Sequence, residues 1–178
     1  MSAGLAMGVL VTVFWLKAPQ TTLEAKVEKI LNEESDLLIT PRLRAQFVSY
    51  LVSTAKDHEF DPLLILAIMK AESSFRPNII SNRGAVGLLQ IKLVAANEVS
   101  RIELTGSNSL KDPFINVHVG VSYLSYLRNT LGRDKGRMLS GYNVGPTKVK
   151  SAGIQSTPYS RKVLRIYAEF IKKFGAVS

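Results

Sequence analysis

Glu72 is the side chain on which an argument for chemistry can be built. It opens the segment ESSFRP (72–77), directly after the apolar run Leu63–Met69, and Gln90 follows eighteen positions later at the end of GAVGLLQ. A carboxylate in the last turn of a buried helix is disfavoured as an anion by lost hydration and by the negative end of the helix dipole. An acid that keeps its proton near neutral pH is what general acid catalysis requires. The plainer alternative is a solvated carboxylate or half of an ion pair, with Lys70 or Arg76 as its partner.

Several elements must place that acid. Asp61-Pro62 reads as a helix start, with a capping acceptor and then a residue whose missing N–H costs nothing. From Leu63 to Met69 the residues are apolar on every face, which predicts a helix buried all round. Ser73-Ser74 and Pro77 end it, and the glycine-bearing turn SNRGAV (81–86) bends the chain back toward Glu72. Thr40-Pro41 opens an earlier helix with the apolar face Leu43, Phe47, Tyr50 and Leu51. Further helices are expected over Leu93–Ile102, from Asp112-Pro113 to Gly132, over Met138–Asn143 before a Gly145-Pro146 turn, and over Tyr159–Phe174. The inward residues of the last are Val163, Leu164, Tyr167, Phe170 and Ile171. The expected fold class is all-α or nearly so, with at most a small β element around Ser81–Gln90.

Composition sets outer bounds. A chain of 178 residues has room for one domain with a sizeable core and tails. With no cysteine, thiol catalysis and disulfides are excluded; the two histidines, His58 and His118, lack metal-ligand spacing, and neither a metal nor a cofactor is expected. The net charge of +9 calls for an anionic partner. The cations are scattered and carry no nucleic-acid recognition motif, so nucleic acid is not the expected partner; a wall polymer or a membrane surface serves as well. Residues 3–16, AGLAMGVLVTVFWL, form an uncharged run shorter than a comfortable bilayer span. The expected organisation is therefore an export signal or short membrane anchor over 1–18, a helical spacer over 19–40, and a catalytic domain over 41–178. The spacer carries Leu23, Val27, Ile30 and Leu31 at helical intervals.

Three blocks in order, ESSF-x-P, GAVGLLQI and GYNVGP, resemble the catalytic domain of the lytic transglycosylases, which share the goose-type lysozyme fold. The resemblance covers about residues 55–172 and implies a lysozyme-like helical domain. It implies that Glu72 protonates the β-1,4 bond between N-acetylmuramic acid (MurNAc) and N-acetylglucosamine (GlcNAc) in peptidoglycan strands. Glu72 then acts as base while a 1,6-anhydro-MurNAc ring closes. Gln90, Tyr142, Asn143 and Ser73 become substrate-binding residues: an amide that both donates and accepts, a hydroxyl pointed at the pocket, its polar neighbour, and a hydroxyl beside the acid. For Asn143 a turn cap, and for Ser73 a helix stop, stand as equal readings. The segment DP-x-x-N-x-x-x-G-x-x-YL, matched by Asp112, Pro113, Asn116, Gly120, Tyr123 and Leu124, is expected to serve packing. Departures from the family pattern are Leu89 for methionine, Lys92 for an apolar groove residue, and Gly141 for alanine. The expected location is the periplasm or cell envelope, with residues 3–16 as the segment for export or membrane association, and the expected state is a monomer. Competing readings are a goose-type lysozyme-like hydrolase, which would need a second carboxylate about 6.5–9.5 Å from the first, and an inactive wall-binding component of an envelope machine.

Overall fold

Asp61 begins the helix around which the rest is packed. In the computed structural model, which describes residues 22–35, 40–99, 104 and 106–175, its carboxylate accepts from the Leu63 N–H at 2.8 Å and receives the Tyr167 hydroxyl at 2.5 Å. Pro62 follows at the first helical position, and the helix, α3 by chain order, runs Pro62–Ser73. Every residue from Pro62 to Met69 is buried. Each fully buried Leu, Ile or Met there is worth about 1.5–3 kcal/mol over exposure. No face is left for solvent, as the sequence predicts.

The burial is supplied from several sides. Helix α2 (Pro41–Asp57), capped by Thr40, brings Phe47, Val48, Leu51 and Val52 into the core. Helix α1 (Thr22–Glu34), within the expected spacer, lays Leu23, Val27, Ile30 and Leu31 against the same core. Its C-terminal Glu34 is tied to Lys70 of α3 at 3.3 Å and to Lys173 at 2.9 Å. Lys173 belongs to α8 (Pro158–Phe174), which starts with a reciprocal cap between Thr157 and Ser160. The inward stripe of α8 is wider than the sequence suggests: Ser160, Val163, Ile166 and Phe170 are buried, while Leu164, Tyr167 and Ile171 are half-buried.

After α3 the chain reverses through Ser74 and Phe75, both left-handed at φ +50° and +62°. Phe75 is buried and serves as the anchor of the turn. Strands β1 (Ala85–Val86) and β2 (Ile91–Lys92) pair antiparallel with Val86 opposite Ile91. This ribbon is the small β element expected near Ser81–Gln90. Helix α4 (Leu93–Val99) follows; the last part of the helix expected over Leu93–Ile102 lies outside the described residues.

Asn116 holds the ribbon in place. It lies on α5 (Pro113–Leu131), fully buried, and Asp112 caps that helix. The Asn116 side chain accepts from the Leu89 N–H at 2.8 Å and donates to the carbonyls of Val86 at 3.0 Å and Leu110 at 2.8 Å. Leu110 belongs to a short 3-10 turn, Ser107–Lys111. Gly87, at φ +81°, passes so close to Asn116 and the Leu110 carbonyl that a Cβ would collide with both. The chain is completed by α6 (Lys135–Val144), capped by Asp134, and by α7 (Pro146–Ser151). A turn is predicted at Gly145-Pro146; the proline instead starts a helix of its own. Among the described residues there are eight α-helices and one two-stranded sheet, so the fold is helical with a small β element. The segment 1–18 lies outside the described residues; among those described, no helix is long and apolar enough to cross a membrane.

Candidate active site

Glu72, in the last turn of α3, reaches the wall of a cleft of about 460 Å³. The floor and sides come from the ribbon (Ala85, Gln90, Ile91, Lys92), from α4 (Val94, Ala95, Glu98), from Tyr123 of α5 and from Tyr142 to Gly145. Burial pushes the Glu72 carboxyl above the usual carboxylate range, and Tyr159 and Lys162 of α8 pull it partly back. Neither cation near it in sequence pairs with it. Lys70 turns to Glu34, and the Arg76 Nε–H donates to the Ser73 carbonyl at 2.9 Å. Lys162 acts through its charge, since its Nζ donates to the Ala71 carbonyl at 2.9 Å. The ion-pair alternative for Glu72 therefore fails, and a desolvated acid remains.

Gln90 lines the same cleft at φ +49°, a left-handed conformation uncommon for a residue other than glycine. Its Nε2 donates to the carbonyls of Gly87 at 3.0 Å and Ile79 at 3.2 Å. Tyr142 closes the same corner, its hydroxyl donating to the Leu89 carbonyl at 2.7 Å. The Tyr142 ring lies between Tyr123, 5.6 Å away and tilted, and Tyr159, stacked parallel at 6.4 Å. A row of aromatic faces thus runs from the cleft to the acid. Such an arrangement can hold a sugar face and deliver one proton in a partly dry site.

Comparison with known proteins gives this geometry a lineage. The profile of the Transglycosylase SLT domain matches residues 49–163, well over half of the chain. The chain belongs to this family. It is 33% identical over 111 residues to the soluble lytic murein transglycosylase of Escherichia coli K12, and 34% identical over 89 residues to membrane-bound lytic murein transglycosylase C of Salmonella typhi. Those matches take in 53% and 47% of this chain but only 17% and 25% of the relatives' lengths. An inactive mutant of the lytic transglycosylase Slt from Pseudomonas aeruginosa superposes with a TM-score of 0.66 at 25% identity, over 73% of this chain and 24% of that one. The 70 kDa soluble lytic transglycosylase of Escherichia coli gives 0.64 at 24% identity, over 71% and 24%, and supports the fold.

Within this SLT domain, Glu72, Gln90, Tyr142 and Asn143 all line the one cleft. Ser73 does not. It is buried, and its hydroxyl is placed to donate to the carbonyl of Leu88 at 2.8 Å or of Met69 at 3.1 Å. Asn143 is exposed at the rim, and so is Lys92. Gly141 lies where a Cβ would run into the Leu131 side chain, so the family's alanine would fit there only if that side chain shifted. Four residues of the site have no counterpart in the motif reading: Tyr159, Lys162, Glu98 and, in part, Tyr123. Tyr123, expected to serve packing, is half-buried at the cleft wall. Glu98 is a second carboxylate in the cleft; it bonds the Tyr126 hydroxyl, and its charge bears on Tyr123 and Tyr126. Tyr159 falls one helical turn before Val163 on the inward stripe of α8, a signal that was present in the sequence. Among the described residues no cluster of three or more His, Cys, Asp or Glu could hold a metal ion.

Proposed function

We propose that the chain is a peptidoglycan lytic transglycosylase that cleaves the MurNAc–GlcNAc β-1,4 bond and leaves 1,6-anhydro-MurNAc. The observation that carries this is Glu72 itself: a carboxyl that burial pushes above the usual carboxylate range, at the wall of a cleft lined by tyrosine rings, in a chain of the SLT family. Glu72 gives its proton to the glycosidic oxygen as the C1–O bond breaks. The substrate's acetamido oxygen closes on C1 and carries the developing positive charge. Glu72, now a carboxylate, takes the proton of the C6 hydroxyl while O6 attacks C1, and the acid is regenerated. No water enters and no second carboxylate is required.

Positioning follows from the same contacts. Both amide hydrogens of Gln90 are committed to backbone carbonyls, so its Oε1 is the part offered to a substrate N–H or O–H. Asn143 contributes at the rim. Tyr142 presents its ring to the glycan and uses its hydroxyl to fix Leu89 beside Gln90. Ser73 serves indirectly, joining the helix of the acid to Leu88 of the ribbon. The enzyme works in the cell envelope as a monomer, with residues 3–16 supplying export or membrane attachment.

Digestion of purified peptidoglycan in oxygen-18 water tests the reaction. The expected products are unlabelled anhydro-muropeptides without a reducing end. Label at C1 with a free reducing end would instead make Glu98, or another acid, the base of a lysozyme-type hydrolysis.

A further inference from the structure

Ser81, Arg83 and Lys92 line the cleft from the ribbon and the turn leading into it, and the mechanism above uses none of them. Lys92 is paired across the ribbon with Ala85, two residues past Arg83, so both cations come to the open end of the hairpin. All three side chains present donors. The Ser81 hydroxyl oxygen accepts from the backbone N–H groups of Ala85 at 3.0 Å and Arg83 at 3.3 Å. Its lone pairs are taken up, and its proton is what it has left to offer. Arg83 and Lys92 are exposed and can only donate. Neither side chain forms an ion pair or hydrogen bond among the described residues.

Neither acid of the cleft answers them. The cation that bears on Glu72 is Lys162 of α8, and Glu98 is turned to the Tyr126 hydroxyl on α5. A patch of donors without an acceptor suits an acceptor brought from outside. Two cations in it favour one that carries negative charge, since charge-assisted hydrogen bonds are the strong ones. The chemistry of the polymer narrows the choice further. The N-acetylated sugar rings of peptidoglycan are uncharged, and its carboxylates hang from the lactyl ether at C3 of MurNAc. Where that branch is bare, the carboxylate is the lactyl group's own; where it is amide-linked, the stem peptide carries it.

We propose that Ser81, Arg83 and Lys92 form a carboxylate-binding subsite for the lactyl branch of MurNAc, so that the enzyme selects and orients its strand by the branch as well as by the rings. This rests on peptidoglycan being the substrate. Arg83 supplies a planar fork that can take both carboxylate oxygens, Lys92 a point charge, and Ser81 a short donor fixed by its own backbone bonds.

The test uses the full chain carrying Glu72→Gln, which does not consume its ligand, and GlcNAc–MurNAc oligosaccharides of equal length in three forms. One has free lactyl carboxylates, one has those carboxyls converted to neutral amides, and one bears an L-alanyl-D-isoglutamate stem on each. Calorimetric titration at low salt should show an anionic form bound about tenfold more tightly than the neutral amide. Lys92→Met and Arg83→Gln should each cut that preference by up to about fivefold, while Lys92→Arg should keep it. Salt of about 1 M should remove most of it. The anionic form whose advantage the substitutions remove identifies the source of the carboxylate, the bare branch or the stem. Equal binding of all three forms, or a preference that survives both substitutions, overturns the proposal and leaves the substrate reading in place. Binding of none of them removes the peptidoglycan reading, and the subsite with it.

Discussion

Replacing Glu72 by glutamine separates what the acid does for catalysis from what it does to stability. The amide keeps the shape and has no acidic proton, so turnover should fall by about 10²–10⁴-fold, the usual contribution of a general acid. Muropeptide release per folded molecule measures this. Stability should move the other way. The folded-state pKa of Glu72 is raised above its unfolded value by burial, so the native protein binds the proton more tightly than the unfolded chain. Stability is therefore lost as pH rises from the unfolded pKa through the folded one, and the full penalty is present above both. Glu72→Gln should melt higher than wild type at neutral pH, with the gap closing below about pH 4, where the carboxyl is neutral in both states. A gap that persists in acid would trace to packing and not to charge. At this scale the sequence carried residue identity well and direction poorly. The apolar run Leu63–Met69 signalled the burial that perturbs Glu72, because residues apolar on all faces leave no other reading. It could not show that Ser73 points inward to Leu88, or that the Tyr142 hydroxyl meets a backbone carbonyl and not the open cleft. Those directions depend on where the ribbon lands, some fifteen to fifty residues away in the chain.

Among the elements, the two-stranded ribbon is the one that cannot stand alone. Two residues per strand supply too little pairing, and a short hairpin is marginal in water by itself. Asn116 supplies the missing support through three backbone contacts from a fully buried position. Asn116→Ala would leave those three groups without a partner, at about 1–3 kcal/mol for each that water cannot reach. A total loss of about 2–4 kcal/mol lowers the melting temperature by roughly 5–12 °C for a chain of this size. Calorimetry measures it, and activity should fall further than the folded fraction does, because Gln90 and Leu89 ride on the ribbon. Equal losses in both would mean that Asn116 stabilises the domain without setting the geometry of the cleft. Element boundaries were legible where a capping side chain precedes proline, as at Thr40-Pro41, Asp61-Pro62 and Asp112-Pro113. Gly145-Pro146 misled because proline opens turns and helices alike. Asn116 itself matches a family motif position read as packing; its amide does more, and hydrogen bonds to distant backbone leave no periodic trace in a sequence.

For the whole molecule, the excess of positive charge becomes informative once the acids are placed. Glu34 is held by Lys70 and Lys173, Glu59 by Arg128 and Arg133, and Glu169 by Arg165, while Asp112 and Asp134 cap helices. The surplus behind the net charge of +9 is left to attract an anionic polymer, and two of the cations, Arg83 and Lys92, lie at the cleft itself. Lys92 is the one that departs from the apolar residue the family pattern leads one to expect. It is exposed on β2, next to Ile91 and two residues from Gln90, so a glycan lying in the cleft passes within reach of its ammonium group. Exposed charges act over about 10 Å at 0.1 M salt and about 3 Å at 1 M. Lys92→Met should therefore weaken binding to purified wall by up to about fivefold at low salt, the upper range for one exposed charge. The difference should vanish as salt approaches 1 M. Binding is best followed in a Glu72→Gln background, where the polymer is not consumed during the measurement. If the loss persists at high salt, Lys92 contributes by contact and shape. If the methionine variant binds as tightly as the parent at low salt, the attraction belongs to cations elsewhere on the surface, with the basic face of α7 and α8 the next region to neutralise.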